Sequence, residues 1–145
     1  MSGVRVIDLS RLLPGPYCTQ ILRDLGCEII KVEDCHGGDY SRYYPPLLDD
    51  NNAASFHALN RGKKSIMLDL KKPQDKQLLY QLLSTADAVV ESFRPGVLKK
   101  LGFDPVELLQ KYPKLVVCSI SGYGQTGPDS LRAGHDLNYL ARSGM

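Results

Sequence analysis

The chain has 145 residues, enough for one domain with its own core. Its 43% hydrophobic and 23% charged residues are typical of a soluble globular protein, and a net charge of +2 at pH 7 gives no argument for a nucleic-acid or anionic-membrane partner. No apolar run is long enough to span a bilayer, and the start MSGVRVIDLS lacks the basic-then-apolar pattern of a secretion signal.

VRVIDL (4–9) is β-branched and bounded by turn residues, which predicts a first strand. SRLLPGP turns the chain, and YCTQILRDLG then reads as a helix closed by Gly26 as its C′ residue. EIIKVE (28–33) is the second strand. HGGDYSRYYPPLLDDNN (36–52) carries Gly, Pro and Asp signals of a long loop, and ASFHALN adds a helical turn. KKSIMLDL (63–70) is the third strand. Pro73 suits the first turn of a helix over 74–86, whose leucines at 78, 79, 82 and 83 form one stripe. ADAVVESF (86–93) is the fourth strand, RPGVLKKLG (94–102) a short helix, and DPVELLQKYP (104–113) another with Asp104 before a proline. KLVVCSIS (114–121) is the fifth strand. GYGQTGPDSLRAG (122–134) is a loop with four glycines, and HDLNYLARSG is a last helix with Asp136 expected as its N-cap. A sixth strand is expected to follow Met145, so the chain reads as a cut-off, N-terminal portion of a larger fold.

Strands alternating with helices predict an α/β fold: a Rossmann-like, mostly parallel sheet flanked by helices. Ligands of such sheets bind beyond the carboxyl ends of the strands, here the loops 10–16, 33–45, 70–73, 92–96 and 121–134. Cys18, Cys27, Cys35 and Cys118 form no CxxC pair and match no zinc-finger spacing. They read as reduced thiols of an intracellular protein, and no metal site is expected from their spacing.

The first βαβ unit ends in Glu33, where an acid binds ribose in dinucleotide sites. The turn, however, reads LLPGPYCTQ rather than GxGxxG, and its prolines remove N–H donors that would cradle a pyrophosphate. Glu33 thus either caps a strand or serves another nucleotide-bearing ligand. Arg61, Lys63, Lys64, Lys71 and Lys72 flank the third strand. Any one of them reads as a solvated side chain, while Lys71 and Lys72, at the carboxyl end, would suit an anion such as phosphate. His36 and His57 read as ordinary surface residues. His135 follows a Gly-rich loop and precedes a helix, whose positive end would favour the neutral imidazole that a general base needs. No GxSxG is present, and Cys118 sits inside an apolar strand.

DLSRLLPGPYCTQILRDLGCEIIKVE, NRGKKSIMLDLK, VVESFRPGVLKKLGF and SISGYGQTGPDSLRAGHDLNYLARSG occur in that order. Together they resemble the N-terminal part of the class III CoA-transferase family, which includes racemases of 2-methylacyl-CoA thioesters. The resemblance implies that residues 1–145 are the N-terminal portion of a CoA-binding large domain, with a smaller second domain outside the chain and two subunits interlocked as a homodimer. It implies an acyl-CoA substrate, no metal, and no cofactor beyond the CoA thioester. AGHDLNY matches the racemase motif, which implies His135 as one catalytic base paired with a downstream aspartate. It also implies Leu68, Asp69, Leu70 and Lys71, with Gly134, Asp136, Leu137, Asn138 and Tyr139, as residues lining the CoA substrate. The alternatives are a CoA-transferase acting through a downstream nucleophilic aspartate and a truncated, inactive product that binds CoA weakly. The 145 residues alone hold one of two bases and are expected to be inactive. The family's racemases carry arginine where Asp34 stands here, leaving Lys31, Arg42 or Arg61 to compensate. The compartment, whether cytoplasmic, mitochondrial or peroxisomal, is not readable.

Overall fold

The computed structural model describes residues 1–145. Five strands, β1 (Arg5–Asp8), β2 (Glu28–Glu33), β3 (Lys64–Met67), β4 (Ala88–Glu91) and β5 (Val116–Ser119), form one sheet in the order β3-β2-β1-β4-β5. Every neighbouring pair is parallel, with Ile7 opposite both Ile30 and Val89. This is the doubly wound order: the chain starts in the middle, moves out one side, then crosses to the other. The helices are α1 (Pro14–Asp24), α2 (Ala54–Asn60), α3 (Pro73–Ser84), α4 (Val97–Lys100), α5 (Pro105–Lys111) and α6 (Asp136–Ser143). No helix is long and apolar enough to cross a membrane.

Strand alternation sends successive side chains to opposite faces. Ile7, Leu9, Val32 and Val89 meet Leu79 and Leu83 of α3, Leu98 of α4 and Leu108 of α5 in the larger core. Val6, Ile29 and Val90 face the other way and meet Leu22 of α1. α2 packs on α1.

All five expected strands exist; β2 spans the expected 28–33, and the other four are trimmed at their ends. The third was expected over 63–70 but stops at Met67, because the Asp69 N–H turns away to the Asp75 carboxylate (2.8 Å) at the start of α3. α1 begins at Pro14, three residues before the expected start; both prolines fit because first-turn N–H groups have no helical acceptor anyway. Gly26 follows the helix with φ +98°, the left-handed conformation expected of a C′ glycine. The long loop contains one 3-10 turn (Tyr40–Tyr43), capped by the Asp39 side chain. The N-cap of α6 is His135 and not Asp136. His135 keeps extended backbone (φ −127°, ψ −178°) while Asp136 already takes the first helical position.

Candidate active site at the carboxyl ends of the strands

At the carboxyl ends of β1 and β2, the apolar alternation on the α1 face gives way to buried charge. Asp8, Lys31 and Glu33 are each under 5% exposed. Asp8 ends β1 beneath α1. Its Oδ2 accepts from the Thr19 hydroxyl (2.6 Å) and Lys63 Nζ (3.2 Å), while its Oδ1 accepts the Ser10 N–H (2.9 Å). Lys63 Nζ also donates to the Pro16 carbonyl (2.9 Å), Thr19 Oγ1 (2.8 Å) and Asn60 Oδ1 (3.0 Å). Lys31 Nζ lies 2.9 Å from Asp39 Oδ2 and donates to the Ser10 carbonyl. These lysines are therefore structural ions sealed between α1 and the sheet, which corrects the solvated reading of Lys63.

Glu33 has no free oxygen for a ribose. Arg42 donates to both its carboxylate oxygens (2.8 and 2.7 Å), Ser65 Oγ donates to Oε1 and the Asp39 N–H to Oε2. Arg42 also stacks on Phe56 at 3.8 Å. Of the two sequence readings of Glu33, the one that ties it into the fold holds.

Burial by itself pushes the Glu33 carboxyl up; the Arg42 fork, Ser65 and the Asp39 N–H outweigh it and leave the group below the ordinary carboxylate range. Asp39 behaves alike, burial being overcome by Lys31 and by the Ser41 and Leu12 N–H groups. Both folded-state values are depressed, so the unfolded chain binds more protons as pH falls through the carboxylate range. The stabilisation is thus present above about pH 4.3 and is lost below it. Urea midpoints measured from roughly pH 6 to 3 should fall steeply at the acid end. A Glu33→Gln variant should start lower and lose less. Parallel pH profiles for the two proteins would contradict this assignment.

Beside this layer a cleft of about 260 Å³ opens at the carboxyl ends of β1, β2 and β4. Leu68, Asp69, Leu70 and Lys71, all expected at a ligand site, line it together. Leu9, Val32, Phe93, Val97 and Leu101 supply apolar wall; Arg11, Glu33 and Asp34 supply charge. Asp69 lies below the ordinary carboxylate range, chiefly because its Oδ1 accepts the Lys71 N–H (3.0 Å). Sequence reasoning missed Arg11, although it stands in the loop 10–16 that the parallel-sheet rule marks. Its guanidinium lies between Tyr40 and Phe93, 5.5 and 6.0 Å from their ring centres, with Nη2 3.6 Å from Asp34 Oδ2. Lys31, Arg42 and Arg61 do not line the cleft; the first two serve the buried layer, and Arg61 pairs with Asp24 at 2.6 Å.

Gly134, His135, Asp136, Leu137, Asn138 and Tyr139 stand apart from the cleft, on an exposed unit made of the 121–134 loop and α6. α6 buries none of its residues, so local contacts hold it. Tyr139 OH donates to the Gly134 carbonyl (2.8 Å), and its ring meets Tyr123 edge-on at 5.2 Å. Arg142 covers Tyr123 at 5.3 Å and bonds to Asp129. The glycines at 122 and 134 are explained by Tyr139: a Cβ at Gly122 would overlap its ring and hydroxyl, and one at Gly134 would stand 2.8 Å from Cε1. The His135 N–H donates to Asn138 Oδ1 (2.9 Å), half of a capping box. The imidazole itself is exposed and is not packed among aliphatic side chains.

A family model for CoA-transferase family III matches residues 1–145, the whole chain. The chain belongs to that family. It is 45% identical over its full length to succinate–glutarate CoA-transferase of Agrobacterium fabrum and 40% identical to α-methylacyl-CoA racemase of Mus musculus. It spans 38% and 34% of those two relatives, so it corresponds to only part of such proteins. A crystal structure of a CAIB/BAIF family protein from Brucella suis superimposes on 99% of the chain with a TM-score of 0.92, at 41% identity and 39% of that protein's length. Within this family the relatives similar to the chain are named CoA-transferases more often than racemases.

Proposed function

We propose that the protein, at the length of its relatives, is a racemase of 2-methylacyl-CoA thioesters. The thioester carbonyl acidifies the hydrogen at C2, and His135 removes that proton as a neutral imidazole. A second base outside this chain returns a proton to the opposite face, which inverts the centre. The N–H groups of Asp136 and Leu137, in the first turn of α6, have no intrahelical acceptor and suit an enolate oxygen. Leu68, Asp69, Leu70 and Lys71 hold the CoA part in the cleft, and Gly134 to Tyr139 face the thioester end. The chemistry needs no cofactor beyond the CoA thioester, and the active form is an interlocked homodimer.

One observation carries this reading. His36 Nε2 lies 3.6 Å from Asp69, and His57 Nε2 lies 2.8 Å from Asp50, so both imidazoles have carboxylate partners. The His135 ring has none and stands exposed at the N-terminus of α6, free to meet a substrate.

The second reading is transfer of CoA between carboxylic acids, supported by the 45% identity to a succinate–glutarate CoA-transferase. Solvent deuterium separates the two. Deuterium entering C2 of a 2-methylacyl-CoA with no added acid is the expected result. Turnover only in the presence of a second carboxylate, with C2 unlabelled, would replace the racemase by the transferase.

A further inference from the structure

The turn after β2 reads Asp34-Cys35-His36, and it offers three different donors: a carboxylate oxygen, a thiol sulfur and an imidazole nitrogen. These three atoms lie within 4.8 Å of one another. A fourth donor approaches from the turn after β3, where Asp69 Oδ2 stands 3.6 Å from His36 Nε2. The parallel pairing of β2 with β3 makes that approach possible by placing Glu33 beside Met67, so the two turns leave the sheet side by side.

The geometry points to a site for a thiophilic divalent cation of the zinc class, held by Asp34, Cys35 and His36 with Asp69 closing the fourth corner. A tetrahedral zinc with bonds of about 2.0–2.3 Å needs donor–donor separations of about 3.3–3.8 Å. The Asp69–His36 separation already falls in that range. The three separations among Asp34, Cys35 and His36, each within 4.8 Å, need a closure of at most about 1 Å, which rotation of exposed side chains supplies.

Charge supports the same assignment. Three of the four buried carboxylates have close cations: Glu33 has Arg42 at 2.7 Å, Asp39 has Lys31 at 2.9 Å, and Asp8 has Lys63 at 3.2 Å, while Glu91 accepts the Phe93 N–H (2.7 Å) and has no ion pair. At the mouth, Asp34 has Arg11 only at 3.6 Å, and Asp69 has the exposed Lys72 only at 3.9 Å. One oxygen of each is already fixed by a backbone donor, Asp34 Oδ1 by the His36 N–H (2.9 Å) and Asp69 Oδ1 by the Lys71 N–H (3.0 Å). The remaining oxygens are thereby oriented as ligating carboxylates usually are. Cys35 is exposed, so its thiol is reachable by a metal ion, whereas Cys27 is buried.

The test uses the untagged 145-residue chain, stripped with chelator and kept reduced at neutral pH. Calorimetric titration with zinc chloride should show one saturable site. Cobalt should give a thiolate-to-metal charge-transfer band that zinc abolishes. Loss of groups that merely orient ligands costs about 10–100-fold in metal affinity. Cys35→Ser and His36→Ala, which remove ligands, should therefore each weaken binding by at least about tenfold, and Cys35→Ser should erase the band. His57→Ala, at the other exposed His–Asp pair, should change nothing. Absence of saturable binding overturns the site, as does binding indifferent to Cys35→Ser and His36→Ala.

Discussion

Lys63→Ala is expected to lower the unfolding free energy by about 3–5 kcal/mol, the range for removing one partner of a buried ion pair. The lysine side chain is 1% exposed and Asp8 is fully buried, so solvent screens neither charge. Truncation leaves the Asp8 carboxylate under α1 with only the Thr19 hydroxyl and the Ser10 donors. It also strips a donor from the Pro16 carbonyl and from Asn60 Oδ1, so the contact between α1 and the segment leading into β3 loosens. Domains of this size hold about 5–15 kcal/mol in total, so the variant should melt early or fail to accumulate. Urea unfolding by circular dichroism reads the loss. The double variant Asp8→Asn with Lys63→Met removes both charges and should regain a sizeable part of it, because the lone buried ion causes most of the damage. A loss under about 1 kcal/mol for Lys63→Ala would place this ammonium in water and dissolve the proposed layer.

That prediction rests on the part of the molecule the sequence hides. Strand positions such as Ile7, Ile29 and Val89 announce themselves, since their β-branched runs are local and bounded by turns. The parallel pairing of the strands follows from their alternation with helices, and the rule that ligands meet the carboxyl ends marks the loop from 70, while Leu68 to Lys71 as a set come from the family resemblance. Lys63 announces nothing. It stands between Gly62 and Lys64 as any surface lysine would, and its partner Asp8 is 55 residues away. Lys31 likewise looks like an interruption of the strand EIIKVE until Asp39 folds over it. Charge pairing across such distances is a property of the fold and leaves no period in the sequence. The last helix shows a finer limit. His and Asp stand next to each other, and side-chain preference favours Asp as the cap. The extended backbone at His135 and its N–H bond to Asn138 give the place to the histidine. The glycines of the preceding loop look like room for a ligand, yet at 122 and 134 the nearest claimant is the ring of Tyr139.

His135→Ala, made in a protein of the relatives' length, should reduce deuterium exchange at C2 of a 2-methylacyl-CoA by about 10²–10⁴-fold, the usual contribution of a positioned general base. Stability should barely move. The imidazole is exposed, and the half capping box uses the backbone N–H of residue 135, which alanine retains. This separation of effects distinguishes a base from a structural residue, since loss of fold would lower both quantities. The pH profile adds a second reading: the acid limb of exchange should report an imidazole ionisation in the native protein and vanish in the variant. The CoA thioester should still bind, because Leu68 to Lys71 line a cleft that His135 does not touch. If the protein instead moves CoA between carboxylates through an aspartate elsewhere, His135→Ala should leave that transfer within a few-fold of the parent, well short of the about 10²-fold floor for losing a base. Exchange at C2 that survives the substitution would remove His135 from the chemistry and leave the transferase as the reading to pursue.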